Sequence, residues 1–445
     1  MKKLTLNQKK IVRVLNSLKL DGWTLLVQEE ERSALYLTKG EQVETSIDSK
    51  RVSADVTVCK RYGKEVGDAR FTLFSDDEQE LRAKVREALV ICAAARKPWY
   101  PLAKRQAYAK VELADPKILH AFRSGKAAAV NLGLWSRIRS AARKERGAVL
   151  NAAELHLSRT RSSVANSEGV AGVSERTELF VDAVLTSFRG RQREEQEFHA
   201  TKRVNRLSDF DPRSFIAEAA RLARDILAAE RFGRVQEQNL LLSGDALREF
   251  WSPNLDLNPV VFHASGQAKH RGLSRYEKGM RITANRRLSL SSDPLVPFNP
   301  GSSRFDTDGV ASKEVVIIRE GVVRNLFASQ RYAHYLKIPA TGGLGVIELA
   351  LGKEPAATLR SDGSVEIVGF SSFSPNSISG DFSAEIRLAY LLKAGKRIPV
   401  RAAMLSGNLF QMLDAMRLSE ERAVGERYSG PALVRFDAGC RLAGF

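Results

Sequence analysis

Residues 380–408 read GDFSAEIRLAYLLKAGKRIPVRAAMLSGN. Their order of turn, strand, turn, strand and helix start decides the architecture of the C-terminal half. Gly380 permits a positive φ, and Asp381 caps a turn by accepting bonds from backbone N–H groups. Phe382 and Ser383 complete the turn motif, and Ala384–Ala389 reads as a strand. Beyond Gly395, Ile398–Ser406 reads as a further strand. Ser406-Gly407-Asn408 ends it and starts a helix over Asn408–Met416.

Upstream, the same pattern of short strands and turns recurs. Glu314–Ile318 is strand-like, and Glu320-Gly321 is a hairpin turn into Val322–Leu326. The glycine-rich stretch Thr341–Gly345 leads into a strand at Val346–Ala350, and Ser364–Val368 is another. With no Lys-Ser or Lys-Thr after it, Thr341–Gly345 reads as a tight bend or a close backbone approach rather than a phosphate loop. This third block begins near Val235, with a strand at Leu240–Leu242 and a capped helix at Ser243–Phe250; its final strand is Ala432–Phe436.

Two α+β blocks precede it. Leu6–Leu20 is a short amphipathic helix. Trp23–Val27, Ala34–Leu37, Val52–Cys59 and Arg70–Leu73 are strands, with Gly40 and Gly63 as turns between them. Asp76-Asp77 opens a helix that Pro98 and Pro101 close. In the second block, Asp115-Pro116 starts a helix over Ile118–Phe122. Trp135–Arg146 is ambiguous and very basic. Val149–Leu157 and Glu178–Val184 are strands around a turn at Asn166–Gly169, and Asp211–Ala229 is a helix. The charged run Arg189–Arg206 reads as a solvated loop or helix face. The expected organisation is α+β, with mixed and antiparallel sheets: an N-terminal unit over residues 1–100, a middle unit over 101–230 and a β-rich C-terminal domain over 231–445.

Composition narrows the function classes. The 445 residues are 43% hydrophobic and 27% charged, which is ordinary for a globular protein and excludes wholesale disorder. Lys and Arg number 70 against 52 Asp and Glu, a formal charge of +18, which permits anionic partners and proves none. Cys59, Cys92 and Cys440 stand too far apart for a disulfide framework or a CxxC site and fit a reducing compartment. Met1-Lys2-Lys3 opens as a signal peptide would, but Lys9, Lys10 and Arg13 interrupt the apolar run that one needs. No stretch reaches the roughly 18 apolar residues of a membrane span. A cytoplasmic chain with no membrane partner is expected.

No phosphate loop, dinucleotide fingerprint, nucleophile elbow or zinc-finger spacing occurs. The weak metal candidates are His263 and His270. Ala264 stands where a general-base Glu is wanted, and seven residues of straight helix rise about 10 Å, too far for both imidazoles to bind one zinc.

The segment Ser302-Ser303-Arg304-Phe305-Asp306-Thr307-Asp308-Gly309-Val310 precedes the Glu320-Gly321 hairpin. After it come Gly380-Asp381-Phe382-Ser383, then Gly395-Lys396-Arg397-Ile398-Pro399-Val400-Arg401, then Ser406-Gly407-Asn408. Asn166-Ser167-Glu168-Gly169 stands earlier, after a strand. In this order the segments resemble the TldD/PmbA (TldD/TldE) family of bacterial and archaeal peptidase subunits, also labelled modulators of DNA gyrase. The resemblance runs from about Trp23 to Gly444. It implies a zinc-dependent peptidase for unfolded or extended peptides, built from two subunit types. The catalytic type carries a helical His-Glu-x-x-x-His and a Cys shortly before its last strand. Here the corresponding helix, Ser243–Phe250, has no His, and Ala423–Ser429 has no Cys. Cys440 lies beyond that point. The resemblance therefore implies the PmbA/TldE-like partner, a pseudoenzyme with no cofactor of its own. The zinc then sits in a TldD-like partner chain, and assembly is with that chain or with self.

On this reading Asn166, Ser167, Gly169, Asp306, Asp308, Gly309, Gly380, Asp381, Phe382, Ser383, Gly407 and Asn408 shape turns or frame a groove in which a peptide pairs with a strand edge. Two alternatives remain. One is an independent metallopeptidase with a rearranged site of His263, His270 and a carboxylate such as Glu277. The other is a nucleic-acid binder, which +18 and basic runs such as Arg137–Arg146 suggest and which no aromatic-rich RNA-binding strand supports. The positive charge predicts that a peptidase containing this chain prefers acidic peptides through steering. Equal cleavage rates for acidic and basic peptides at low salt would contradict it.

Overall fold

The computed structural model describes residues 6–38, 42–189, 194–233, 239–252, 254 and 258–444. Gly40, Val235 and the Met1-Lys2-Lys3 start lie outside the described residues.

Long antiparallel strands dominate the N-terminal half. Strand β1 (Gly22–Thr38) pairs with β2 (Gln42–Tyr62), which pairs with β3 (Glu65–Leu73) and then β4 (Arg96–Pro98). On its other side β1 pairs with β5 (Ala148–Asn166), followed by β6 (Ala171–Arg189) and β7 (Glu194–Val204). The result is one seven-stranded sheet. The expected division at residue 100 thus falls inside a single sheet rather than between two units.

The strands expected at Trp23–Val27 and Ala34–Leu37 are the two ends of β1. Its middle, Gln28-Glu29-Glu30-Glu31-Arg32, is too charged to read as a strand. Cross-strand partners hold it there: Glu31 stands opposite Lys50 and Arg159 and forms ion pairs with both, and Arg159 also pairs with Glu175. The Arg189–Arg206 run is likewise corrected, since Glu194–Val204 within it forms β7.

Helices cover one face of this sheet. α1 (Gln8–Ser17), capped by Asn7, and α2 (Glu78–Ala94), capped by Asp77, enclose Trp23, Leu25 and Val27 at one end. α3 (Pro116–Arg123), α4 (Ala127–Ala142) and α5 (Pro212–Ala228) enclose Leu35 and Leu37 at the other. The ambiguous basic stretch Trp135–Arg146 is helical as far as Ala142, because Trp135 and Ile138 are buried on one face and Arg137 between them is exposed. Leu26 points to the opposite face, which the C-terminal half covers.

In the C-terminal half come β8 (Glu230–Arg231), β9 (Leu240–Ser243), β10 (Leu290–Asp293), β11 (Val315–Arg319), β12 (Val322–Val323) and β13 (Val346–Leu349). β14 (Val365–Pro375), β15 (Asp381–Lys393), β16 (Lys396–Arg401) and β17 (Ala403–Asn408) follow. β18 (Met416–Leu418), β19 (Arg422–Val424), β20 (Tyr428–Pro431), β21 (Leu433–Phe436) and β22 (Cys440–Gly444) complete the set. A six-stranded sheet has the order β12-β11-β10-β13-β20-β19. A nine-stranded sheet has the order β18-β21-β9-β14-β15-β16-β8, with β17 and β22 branching from β15. Phe250, Trp251, Ile317, Ile347, Ile367 and Phe436 belong to the core that the two sheets share.

Three expectations change here. Ile398–Ser406 is two strands, because Ala402 takes a left-handed φ of 59° and swings the chain from one half of β15 to the other. The final strand is β22 rather than the expected Ala432–Phe436, which is β21 (Leu433–Phe436). Ser243 precedes α6 (Gly244–Phe250), but its hydroxyl makes no cap bond; it donates instead to buried Glu366 at 2.8 Å. Burial alone would raise the pKa of Glu366. Bidentate Arg360 and a bond from Arg397 hold it below the ordinary carboxylate value.

β15 ties the two halves together. Leu388 and Tyr390 on this strand are part of the N-terminal core. The Tyr390 hydroxyl bonds Asp225 and Arg221 of α5. No helix among the described residues is long and apolar enough to cross a membrane.

Two glycines test how tightly the sheet is packed. A Cβ on Gly67 would lie 1.9 Å from the Cys92 carbonyl oxygen, so β3 touches the end of α2 backbone to backbone. Gly133 on α4 has nothing within 4 Å of its would-be Cβ. Gly67→Ala is expected to cost about 3 kcal/mol by overpacking, and Gly133→Ala to add up to about 1 kcal/mol of stability by helix propensity. Urea denaturation midpoints check both signs.

Candidate functional site

The turn motifs of the sequence gather into two clusters. In the first, Gly380 (φ 84°) passes so close to α11 (Leu409–Asp414) that a Cβ would sit 2.4 Å from the Phe410 ring. Asn408 caps this helix: its Oδ1 accepts from the N–H groups of Phe410 and Gln411. Its Nδ2 donates to the Ser379 carbonyl at 3.1 Å and to Asp381 at 2.8 Å. Asp381 and Asn408 face each other across the β15–β17 ladder. The bonds from Asn408 and Ser379 hold the Asp381 carboxyl below its ordinary pKa, so it is a carboxylate at neutral pH. Gly407 lets β17 approach β22, where a Cβ would meet the Gly439 carbonyl at 2.5 Å.

Asp381, Gly407 and Asn408 line a cavity of about 720 Å³, together with Gln411, Asp437 and Arg441. That volume is in the usual range for ligand pockets. β22, paired on one edge by β17, forms one wall. Phe382 instead points into the core against Phe250 and Phe373, and exposed Ser383 is not part of the lining. Cys440 also lines the cavity, but burial pushes its thiol up to about 12, which leaves it a poor nucleophile and a poor metal ligand at neutral pH.

The second cluster is a pair of matching turns. Asn166 Oδ1 accepts from the N–H groups of Glu168 and Val170, at 3.0 and 2.9 Å. Asp306 Oδ1 accepts from those of Asp308 and Val310, also at 3.0 and 2.9 Å. Each turn closes with a glycine at positive φ, Gly169 at 82° and Gly309 at 81°. The two touch: a Cβ on Gly309 would lie 2.5 Å from Val170 Cγ1. Tyr108 and Gln106 donate to the Gly309 carbonyl at 2.8 and 3.1 Å. Ser167 accepts from the Trp23 N–H, which pins the first turn to the start of β1.

Comparison with known proteins follows the same layout. Residues 255–438 match the model of the PmbA/TldA metallopeptidase C-terminal domain, and this span contains both Asp306–Gly309 and Gly380–Asn408. Residues 255–438 therefore carry the C-terminal domain of the TldD/PmbA family. An uncharacterized protein of Methanocaldococcus jannaschii is 28% identical over 208 residues, 44% of this chain; the match spans about half (49%) of that relative's length. Two solved structures share the fold over 98% of this chain. A protein of Thermotoga maritima named as a modulator of a DNA gyrase superposes with a TM-score of 0.80 at 17% identity, over 99% of its own length. TldE from Thermococcus kodakarensis does so at 0.78 and 17%, also over 99% of its length.

The metallopeptidase description raises the question of a metal, and the donors among the described residues do not fit one. His263 ends α7 (Pro259–His263) and is buried. Its Nδ1 accepts from the Arg275 N–H at 3.0 Å, and its Nε2 lies 2.9 Å from the Ile378 carbonyl. A carbonyl only accepts, so Nε2 carries the proton and neither nitrogen has a lone pair to spare. Burial lowers the pKa of this imidazole and keeps it neutral. His270 ends α8 (Gly266–His270) and stacks on Tyr335, ring centres 4.8 Å apart. Glu277 is paired with Lys269. His263, His270 and Glu277 therefore do not form the rearranged ligand set. Among the described residues no three His, Cys, Asp or Glu side chains stand together as a metal site.

His263 does belong to the first cluster, through its ring contact with Phe410 and its bond to Ile378, just before the Gly380 turn. Phe410, Gln411, Asp437 and Arg441 complete the site and carry no motif of their own; only their adjacency to Asn408 and Cys440 in the chain hints at them.

The matching turns differ in charge, and that difference is testable. Burial and the neighbouring Asp308 push the Asp306 carboxyl up to about 7, although the Val310 and Asp308 N–H groups favour its charged form. An unfolded Asp titrates near 4. Between about pH 4 and 7 the folded chain therefore holds a proton that the unfolded chain has lost, so stability falls as pH rises through this window and levels off above it. Asp308, also raised by burial, acts in the same direction. Asp306→Asn copies the Asn166 turn. It is expected to match the wild type near pH 4, to flatten the fall and to be the more stable protein at pH 8, as read by denaturant midpoints across pH.

Proposed function

We propose that this chain is the non-catalytic partner in a TldD/TldE-type zinc-dependent peptidase acting on unfolded or extended peptides. The zinc, the general base and the activated water would belong to a TldD-like companion, with self-assembly as the alternative arrangement. The observation that carries the reading is the state of His263. The one imidazole beside the main cavity spends both nitrogens on backbone partners. The cavity itself offers carboxylates, amides and a guanidinium along a strand edge, which are groups able to hold a peptide main chain. A peptide laid along β22 would gain affinity from backbone pairing and little sequence preference, as a peptidase of broad range requires. The likeness in fold to a protein called TldE supports the choice of subunit type.

Two measurements test this. Elemental mass spectrometry of the chain purified alone, with neither metal nor chelator added, should find far less than one zinc per chain; a value near one overturns the proposal. In a reconstituted complex with a zinc-bearing companion, His263→Ala should cost about 2 kcal/mol of stability through lost packing and hydrogen bonds. It should leave kcat nearly unchanged at temperatures where the variant is folded. A collapse of kcat with the assembly intact would assign His263 to the chemistry instead.

A further inference from the structure

The face of the first sheet that carries Leu26 forms the floor of a second, smaller pocket. Gln28 stands opposite Ser162, and Ser162 opposite Ser174, in one row across β1, β5 and β6. Thr160 and Arg176 form the next row. Residues 302–307 of the C-terminal half lie over these rows, and the space between has a volume of about 280 Å³. Leu26, Leu113 and Phe305 provide an apolar side.

Two guanidinium groups line this pocket, and neither is in an ion pair among the described residues. Arg176 donates to the carbonyls of Pro300 and Ser302, at 2.9 and 2.8 Å, and its buried Nε has no acceptor. Glu178, the acid nearest by its influence, is taken by Arg203. Arg304 donates only to the carbonyls of Ala109 and Val173. Neither arginine has an ion-pair partner among the described residues. The hydroxyls of Thr160, Ser162 and Ser174 make no side-chain bond to another described residue. The Asp306 carboxyl at the rim is occupied by the N–H groups of its own turn. A buried cation left without an anion is costly and persists where a ligand supplies the charge. Planar guanidinium forks suit a carboxylate. An apolar wall directly beside them suits the side chain that the carboxylate belongs to.

We propose that this pocket binds the C-terminal end of a peptide, its carboxylate held by Arg176 and Arg304 and its last side chain set against Leu26, Leu113 and Phe305. The choice of a peptide rests on the proposed function, whereas the site itself rests on the two unpaired arginines. Its test is binding to the isolated chain, which depends neither on zinc nor on a companion, so a failure here leaves the subunit reading standing.

Isothermal titration of the full chain with acetyl-Ala-Leu as the free acid is expected to show saturable binding, and the same peptide as its C-terminal amide to bind at least about tenfold more weakly. Arg176→Gln should abolish the preference for the acid. Because this change also removes the bonds to Pro300 and Ser302, Arg304→Gln is the second variant, with thermal melts confirming that each is folded; it should weaken the acid at least about fivefold. Equal binding of acid and amide, no heat at about 1 mM peptide, or acid binding unchanged in both folded variants would each overturn the proposal. Inorganic phosphate displacing the peptide at equal concentration would do so too, by marking a general anion site.

Discussion

The contact between Gly309 and Val170 is the constraint on which the arrangement of the two halves depends. Val170 ends a turn that closes β5 onto β6, and Gly309 ends a turn of the same geometry in the C-terminal half. The backbone at Gly309 comes so near the Val170 side chain that any Cβ would collide with it. A small apolar core of Leu26, Ala103, Val164, Val170, Phe305 and Val310 forms around this point. The turns themselves are rigid because each uses an Asx side chain to satisfy two of its own backbone N–H groups. With the turns fixed, residues 302–307 must lie over the sheet face that bears Arg176, and the smaller pocket follows from that placement.

The larger cavity depends on the same principle, applied to Asn408. One amide caps α11 with its oxygen and bonds Ser379 and Asp381 with its nitrogen. It therefore sets the helix, the turn before β15 and the ionised state of the acid on the cavity wall. His263 reinforces the turn through the Ile378 carbonyl. A histidine committed in this way serves the framework.

Much of the site was legible in the chain because turns are local. Gly380-Asp381, Gly407-Asn408, Asn166–Gly169 and Asp306–Gly309 announce themselves by residue type, since positive φ and Asx capping need few neighbours. The helices starting at Asp77 and Asp115 were equally plain from the acids that open them and, for the second, the proline that follows; the helix over Asp211–Ala229 was plain from its apolar face. The long strands were not. The charged middle of β1 has no apolar alternation, and it is kept extended by backbone pairing with β2 and β5 together with cross-strand ion pairs. The break at Ala402 was invisible because an alanine in the left-handed region is imposed by the strands on either side of it. Phe382 looked like part of a groove and proved to be core, since which face of a strand is buried depends on what the rest of the chain brings to it.

The sequence by itself determined the class of the fold, the order of its turns and its likeness to the TldD/PmbA family. Those features follow from backbone preferences and short-range hydrogen bonds. Only the tertiary structure decided that the first two expected units share one sheet, that His263 has no lone pair to offer, and that Arg176 and Arg304 face the same pocket with no ion-pair partner among the described residues. These facts concern residues far apart in the chain. Their physical basis is burial: a charge or an imidazole takes its character from the groups that replace water around it, and the chain order does not name those groups.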